Sequence, residues 1–405
     1  MVSWEYPPVV VGGLGRHVHH LATALAENGH DVVVLSRQPM GTDPASHPTT
    51  DEVHEGVRVV AAAEDPHEFG FGTDMMAWTL AMGHAMVRAG LGLLSGWSPD
   101  VVHAHDWLVA HPAISLAEFF GVPIVSTMHA TEAGRHSGWV SGSISRQVHA
   151  AESWLARQSD SLITCSASMA AEITQLFGPG LCKITTIPNG IDSSRWPFAL
   201  RSHHPGPPEL LFVGRLEYEK GVHDVIAALP RVRRVHPGTT LTVAGDGTQQ
   251  DWLVAVARKH KVRRAVRFVG RADHQQLLHL LHRTDAAVLP SRYEPFGIAA
   301  LEAIAAGAPL VVTDVGGLGE AVTNLETGLS CPPGDSAALA AAVIDVLDDP
   351  AAAQQRALAA RQRLTADFDW RTVAARTARV YGDSTRGAHR PIARRPIIEQ
   401  ALPDR

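Results

Sequence analysis

Three cysteines in 405 residues, Cys165, Cys182 and Cys331, are odd in number and never in C-x-x-C spacing. That argues against a disulfide framework and fits reduced thiols in a cytoplasm. Positive charge is not in excess either. The 35 Lys and Arg stand against 41 Asp and Glu, a formal net charge of −6, so no basic face for nucleic acid is expected. No apolar run reaches the roughly 18 residues of a membrane span. The opening Met1-Val-Ser-Trp-Glu5-Tyr-Pro-Pro lacks a charged start and an apolar signal core, which argues against export. H-E-x-x-H and clustered cysteines are missing as well, and with them the usual sequence signatures of a zinc site.

What is present is length and apolar content. At 45% hydrophobic, the chain can fill two α/β cores. Buried strand-like runs at 31–35, 57–60, 100–103, 123–126 and 161–164 alternate with helical patterns at 15–28, 75–91, 107–120 and 142–159. This alternation predicts a parallel sheet. Met1 to Trp4 is all that precedes the Gly-rich turn, so the first strand is very short or lacks a few apolar residues. After Arg201-Ser-His-His-Pro-Gly-Pro-Pro208, a stiff polar linker, strand runs resume at 209–213, 240–244, 266–269, 286–289 and 309–312. The expected division is a first domain at 1–200, the linker at 201–208, and a second α/β domain from 209 to 367. An Arg- and Pro-rich stretch, 386–405, reads as a flexible tail. Two such halves imply a cleft between them, where sites usually lie.

The strongest chemical signal is Ser291-Arg-Tyr-Glu294-Pro-Phe-Gly297-Ile298-Ala-Ala-Leu-Glu302. Pro295 suits a first helical turn, and Gly307 followed by Pro309 stops the helix. Glu294 then sits ahead of the helix, beside its free N–H groups, and Glu302 about a turn and a half inside. An anion on those N–H groups would be flanked by two carboxylates able to accept from vicinal hydroxyls. A nucleotide-diphosphate sugar has that shape; two solvated helix-end charges are the plainer reading. Arg215 and Lys220 follow the strand 209–213 and precede a helix, so they can neutralise a diphosphate without a metal, or merely pair with Glu217 and Glu219. Gly12 and Gly13 let backbone approach a ligand before a helix start. Val18 breaks G-x-G-x-x-G, although Arg37 keeps an NADP-type oxidoreductase in view.

His103-Ala-His105-Asp106-Trp107 closes a strand of the first half. Both histidines share a face without an evident third ligand, so a sugar contact through Asp106 and Trp107 is preferred to a metal. His129 ends the next strand and faces the same cleft. Asn189-Gly190 and Gly316-Gly317-Leu318-Gly319 are turn signals that carry no functional claim alone.

With these residues in view, Glu294 to Glu302 resembles the E-x7-E motif of retaining glycosyltransferases of family four. Gly214-Arg215 to Lys220-Gly221 resembles their diphosphate clamp. Val11 to Gly15, Pro188 to Asp192 and Gly316 to Glu320 match as well, so the resemblance extends to about Tyr381. His103 to Trp107 with His129-Ala-Thr-Glu132-Ala-Gly134-Arg135 is similar to bacterial and archaeal glycogen synthases. Among these, the sequence most resembles actinobacterial α-(1→4)-glucosyltransferases of glycogen and methylglucose lipopolysaccharide synthesis. The resemblance implies a GT-B fold of two Rossmann-like domains, with a final helix at 368–385 crossing back to the first. It implies a retaining transfer of glucose from ADP- or UDP-glucose to an α-glucan or maltooligosaccharide, with no metal or other cofactor. Glu302 would hold the ribose and Glu294 the glucose hydroxyls. Arg215, Lys220 and the N–H groups near Gly297 and Ile298 would neutralise the diphosphate, while Asp106 and His129 orient the sugar. Val10 and Val11 stand where classical bacterial enzymes have a donor-contacting Lys-Thr, which leaves ADP against UDP open. The same fold moving another hexose, such as mannose, to a lipid or small acceptor is the alternative. A sugar- or nucleotide-binding protein without catalysis is the rival of a different class.

Overall fold

A computed structural model describes residues 1–387 apart from Val11, 66–67, 94–96, 137, 179 and 202–205. Four linker positions and the tail from 388 onward therefore lie outside the described residues, as does Val11 of the Gly-rich turn.

The first sheet holds β1 (Val2–Ser3), β2 (Val33–Arg37), β3 (Thr50–His54), β4 (Val57–Ala62), β5 (Val102–His105), β6 (Ile124–Met128), β7 (Ser161–Thr164) and β8 (Lys183–Thr186). Their spatial order is β3-β4-β2-β1-β5-β6-β7-β8, parallel except for β3. The second holds β9 (Glu209–Val213), β10 (Thr240–Ala244), β11 (Val266–Gly270), β12 (Ala286–Leu289), β13 (Leu310–Thr313) and β14 (Leu329–Cys331), in the order β11-β10-β9-β12-β13-β14. The central strands of both sheets are buried on two faces, which is why most of them read as apolar runs. β1 is only two residues long yet sits centrally, pairing Val2 with Leu35 of β2 and with Ala104 of β5.

In both halves the strand order reverses beside the first strand, so the ligand crevice opens outside the carboxyl ends of β1 and β5 and of β9 and β12. Gly12, Gly13, Asp106, Arg215, Lys220 and Glu294 follow those ends, and His129 follows the end of the neighbouring β6. The helix Trp370–Gly387 leaves the second domain and packs on the first-domain helix Gly13–Glu27. It starts two residues later than the resemblance implied and buries Val373, Ala374 and Val380. The Tyr381 hydroxyl meets His103 Nδ1 at 2.6 Å, and Ser384 meets Ser161 at 2.8 Å. Among the described residues, no helix is long and apolar enough to cross a membrane.

Candidate active site

The second-domain side is built on the helix Ile298–Ala306. Gly297 precedes it at φ 99°, a left-handed conformation that favours glycine, and Gly307 ends it at φ 92°. Pro295 lies in the turn ahead of the helix rather than in its first turn. Glu294 accepts from Lys220 Nζ at 2.7 Å and from Ser291 Oγ at 3.1 Å. Gly317 donates its N–H to the Glu294 carbonyl at 2.9 Å, and a Cβ on Gly316 would fall 2.1 Å from that carbonyl oxygen. The turn Gly316-Gly317 thus carries the backbone of Glu294, a role its sequence alone did not reveal.

The expected cation pair divides. Lys220 reaches Glu294, whereas Arg215 donates to Glu219 at 3.0 Å with its side chain largely exposed. For Arg215 the plainer surface-pair reading is what the structure shows, a contact worth at most about 1 kcal/mol. It can therefore swing to an incoming anion at little cost. Glu217 is engaged elsewhere, accepting from Thr248.

Across the cleft, Gly12 precedes the helix Gly13–Glu27, and its N–H donates to Glu5 Oε2 at 2.8 Å. A Cβ on Gly13 would come within 2.9 Å of Ile298 Cδ1. Two helix N-termini, one from each domain, therefore face each other, and both partial positive charges point into one gap. Arg16, one residue beyond the Gly-rich turn, bridges the gap to Glu302 Oε1 at 2.9 Å. Burial pushes the Glu302 carboxyl up, and the Arg16 guanidinium opposes that. Sequence reasoning did not find Arg16; its place at the mouth of the turn was the available signal. A cavity of about 230 Å³ opens beside this pair, lined by His17, Asn189, Arg195, His274 and Trp370 among others. Glu294 and Lys220 stand outside it.

Asp106 is the most strained position of the first-domain side. Its φ of 64° and ψ of 172° fall in a region essentially reserved for glycine, a cost of about 1–3 kcal/mol that concentrates at functional sites. Its Oδ1 accepts the His129 N–H at 2.7 Å. Burial pushes its carboxyl up to about 6 against that hydrogen bond. Asp106 therefore holds the turn that carries His129. Trp107 is 8% exposed and packs inward, so it offers no open face to a pyranose. Burial, with Arg135 nearby, brings His129 down to about 4, which leaves it neutral at pH 7.

The histidine pair is also redistributed. His103 is satisfied by Tyr381 and by Thr127 Oγ1 at 2.7 Å. His105 meets His129 at 3.2 Å, Nδ1 to Nε2. His17, from the helix Gly13–Glu27, completes a triplet with them, the third residue that the sequence did not show.

Two parallel-sheet Rossmann-like domains facing across a cleft are the GT-B architecture of glycosyltransferases. Residues 11–195 match the family model described as Glycosyltransferase Family 4, and residues 198–363 the one described as Glycosyl transferases group 1. The chain is 74% identical over 410 residues to a glycogen synthase of Mycobacterium tuberculosis, covering 100% of this chain and 99% of that protein. It is 34% identical to an uncharacterized glycosyltransferase of Methanocaldococcus jannaschii, covering 94% and 97%. A solved sucrose-phosphate synthase from Thermosynechococcus elongatus shares the fold, with a TM-score of 0.80 at 24% identity and coverage of 94% and 97%. The chain belongs to the glycogen synthase-like glycosyltransferases.

Proposed function

We propose that this enzyme transfers glucose from a nucleotide-diphosphate glucose, ADP- or UDP-glucose, to the non-reducing end of an α-1,4-glucan or maltooligosaccharide, with retention at the anomeric carbon. The observation that carries the reading is Glu294 held by Lys220 at 2.7 Å beside the helix start at Gly297 and Ile298. The full-length likeness to a protein named glycogen synthase supports the choice of sugar and acceptor.

The diphosphate would lie between the two helix N-termini. Lys220 and Arg215 would supply the charge that builds as the leaving group departs. Glu302 would exchange Arg16 for the ribose hydroxyls, and Glu294 would accept from hydroxyls of the glucose. The neutral imidazole of His129 would face the sugar, held in place by Asp106. Among the described residues no side chain stands out as a covalent nucleophile. The bond from the anomeric carbon to the phosphate oxygen breaks while the acceptor hydroxyl oxygen bonds to the same face, and its proton passes to the departing phosphate oxygen.

The test incubates the pure protein with a panel of nucleotide sugars and a maltooligosaccharide, then weighs the products. Addition of hexose units from a glucose donor, in the presence of EDTA, is expected. Binding of the donor without transfer would make this a non-catalytic protein. Loss of transfer on chelation, restored by magnesium or manganese, would move the charge neutralisation from Lys220 and Arg215 to an ion.

A further inference from the structure

His17, His105 and His129 present one ligating atom each within 4.8 Å of one another. They come from three elements: the helix Gly13–Glu27, the end of β5, and the turn after β6. Four features set this triplet apart from a packed aromatic cluster. First, both ring nitrogens of His17 are buried and only the Asn189 side chain stands against them, so at least one of the two has no hydrogen-bond partner. A buried polar nitrogen left unpaired costs about 1–3 kcal/mol, so this arrangement invites a ligand. His103, two residues away, shows the contrast, since both its nitrogens are satisfied. Second, His105 and His129 already stand 3.2 Å apart, nitrogen to nitrogen, close to the roughly 3.4 Å that two nitrogens at about 2.05 Å subtend on a tetrahedral zinc ion. Third, the His17 ring has no hydrogen-bonding group beside it other than the Asn189 side chain, and it rests edge-on against His129 at 4.7 Å and Trp370 at 5.3 Å between centroids. Closure around an ion needs that ring to shift by about an ångström. Fourth, His129 is only half-buried, which gives an ion a way in from the cleft.

We propose that His17, His105 and His129 form a site for a divalent transition-metal ion, zinc or a chemically similar cation, and that this ion inhibits the enzyme. Three neutral imidazoles with no carboxylate suit zinc, cobalt, nickel or copper and discriminate against magnesium and calcium, which prefer oxygen ligands. Binding needs no part of the transfer reaction. Inhibition, by contrast, rests on the reading of His129 as a sugar-facing group: an imidazole that coordinates an ion is turned from the donor.

The experiment uses the full chain after EDTA treatment and dialysis. Co²⁺ is titrated and followed by its visible absorption, which is intense for tetrahedral coordination, and Zn²⁺ is then added as competitor. One tight equivalent of Co²⁺ with tetrahedral bands, displaced by Zn²⁺ and not by Mg²⁺, is expected. His17→Ala and His17→Gln should each weaken that site by at least about 100-fold, the upper range seen when a mere second-shell partner of a metal ligand is removed. Both variants keep the other 22 of the 23 histidines, so adventitious surface binding would survive in them. Gln keeps much of the side chain's volume and polarity, and an unchanged melting temperature checks that each variant retains the fold. Absence of a stoichiometric site in the wild type, or equal binding in wild type and both variants, overturns the proposal. Transfer assays are run in parallel. Zn²⁺ should lower wild-type turnover and EDTA should restore it, and in the His17 variants Zn²⁺ should remove a much smaller fraction of each variant's own zinc-free turnover. Tight cobalt binding without any effect on an active enzyme would sustain the site and refute its inhibitory role. An enzyme inactive with every donor would instead refute the glucosyl-transfer reading, because cobalt absorption does not depend on it.

Discussion

Glu294 meets its partners through charge, and that makes its contribution separable from the fold. It is half-buried at a loop, held by Lys220 and Ser291, and belongs to no hydrophobic cluster. Glu294→Ala should lower turnover by roughly 10- to 100-fold or more, since each lost charge-assisted hydrogen bond is worth about 1.5–3 kcal/mol, while the melting temperature barely moves. Steady-state kinetics beside a thermal melt would check it; normal turnover in the folded variant would remove Glu294 from the site. Glu152 offers a pH test of a different kind. Burial pushes its carboxyl up to about 8, against the stabilising Glu132 N–H at 2.8 Å. Its folded value lies above the unfolded one of about 4.3, so the native state binds the extra proton. Its contribution to stability is therefore complete below about pH 4.3 and is lost as pH rises through 8. Glu152→Gln carries no titrating group and should hold its melting temperature between pH 6 and 9 where the wild type declines, a difference on the order of a few kcal/mol at the alkaline end. Parallel slopes for the two proteins would contradict this. At this scale the sequence showed the E-x7-E carboxylates and Lys220 clearly, because their spacing along one loop and helix is a local property. It did not show Arg16 as the partner of Glu302, since that pair joins positions 286 residues apart.

The elements that carry the site were legible where they are apolar and hidden where they are not. β2, β4 to β7 and β9 to β13, most of them apolar runs, were foreseen to within two residues at their ends. β3 is Thr-Asp-Glu-Val-His with a mostly exposed face. Its order comes from pairing with β4 and from the ion pair of Arg58 with Asp51 at 2.6 Å, neither of which has a periodic signature. β8 and β14 are edge strands of four and three residues, and Lys-Ile-Thr-Thr and Leu-Ser-Cys carry no apolar run to mark them. The turn before the helix Gly316–Ala321 was recognised as a turn, but its purpose needed the fold. A Cβ on Gly317 would lie 2.2 Å from Phe296 Cα and 2.6 Å from the Phe296 carbonyl oxygen, both backbone atoms that cannot rotate away. Gly317→Ala should therefore push the turn that bears Glu294 and cost about 100-fold in turnover, the scale expected of an ångström's misplacement. A Cβ on Gly12 meets nothing within 4 Å and its φ is −146°, so Gly12→Ala should leave the melting temperature unchanged. Equal melting temperatures and equal rates for wild type and Gly317→Ala would show that the turn has slack the geometry does not suggest.

At the scale of the whole molecule, the cleft exists because the two domains are fastened at one side and free to present ligand groups at the other. Phe368 accepts the N–H of Ile191, and Gly190 lies under Trp370, where a Cβ would approach the indole to 2.5 Å. From there the helix Trp370–Gly387 covers the helix Gly13–Glu27, whose N-terminus is half of the proposed anion gap. The crossing helix thus completes the core of a domain to which it does not belong in sequence. Removing residues from 370 onward would bare Leu21, Leu25 and the rest of a buried cluster that includes Val373, Ala374 and Val380. Each buried aliphatic side chain of this size is worth about 1.5–3 kcal/mol, so the loss exceeds much of a typical domain's 5–15 kcal/mol. The truncated chain should melt in two steps, with the first domain unfolding well below the second, whose core of β9 to β14 is untouched. Calorimetry on the full and shortened proteins would show it. Tyr381→Phe isolates one contact of the same interface: it leaves the ring in place and strands the buried Nδ1 of His103, which should destabilise the first domain by about 1–3 kcal/mol. If truncation left the melting profile unchanged, the first domain would be stable without its borrowed helix. The fastening that sets the width of the cleft would then have to lie in the Asn189-Gly190 turn and the direct contacts across the gap.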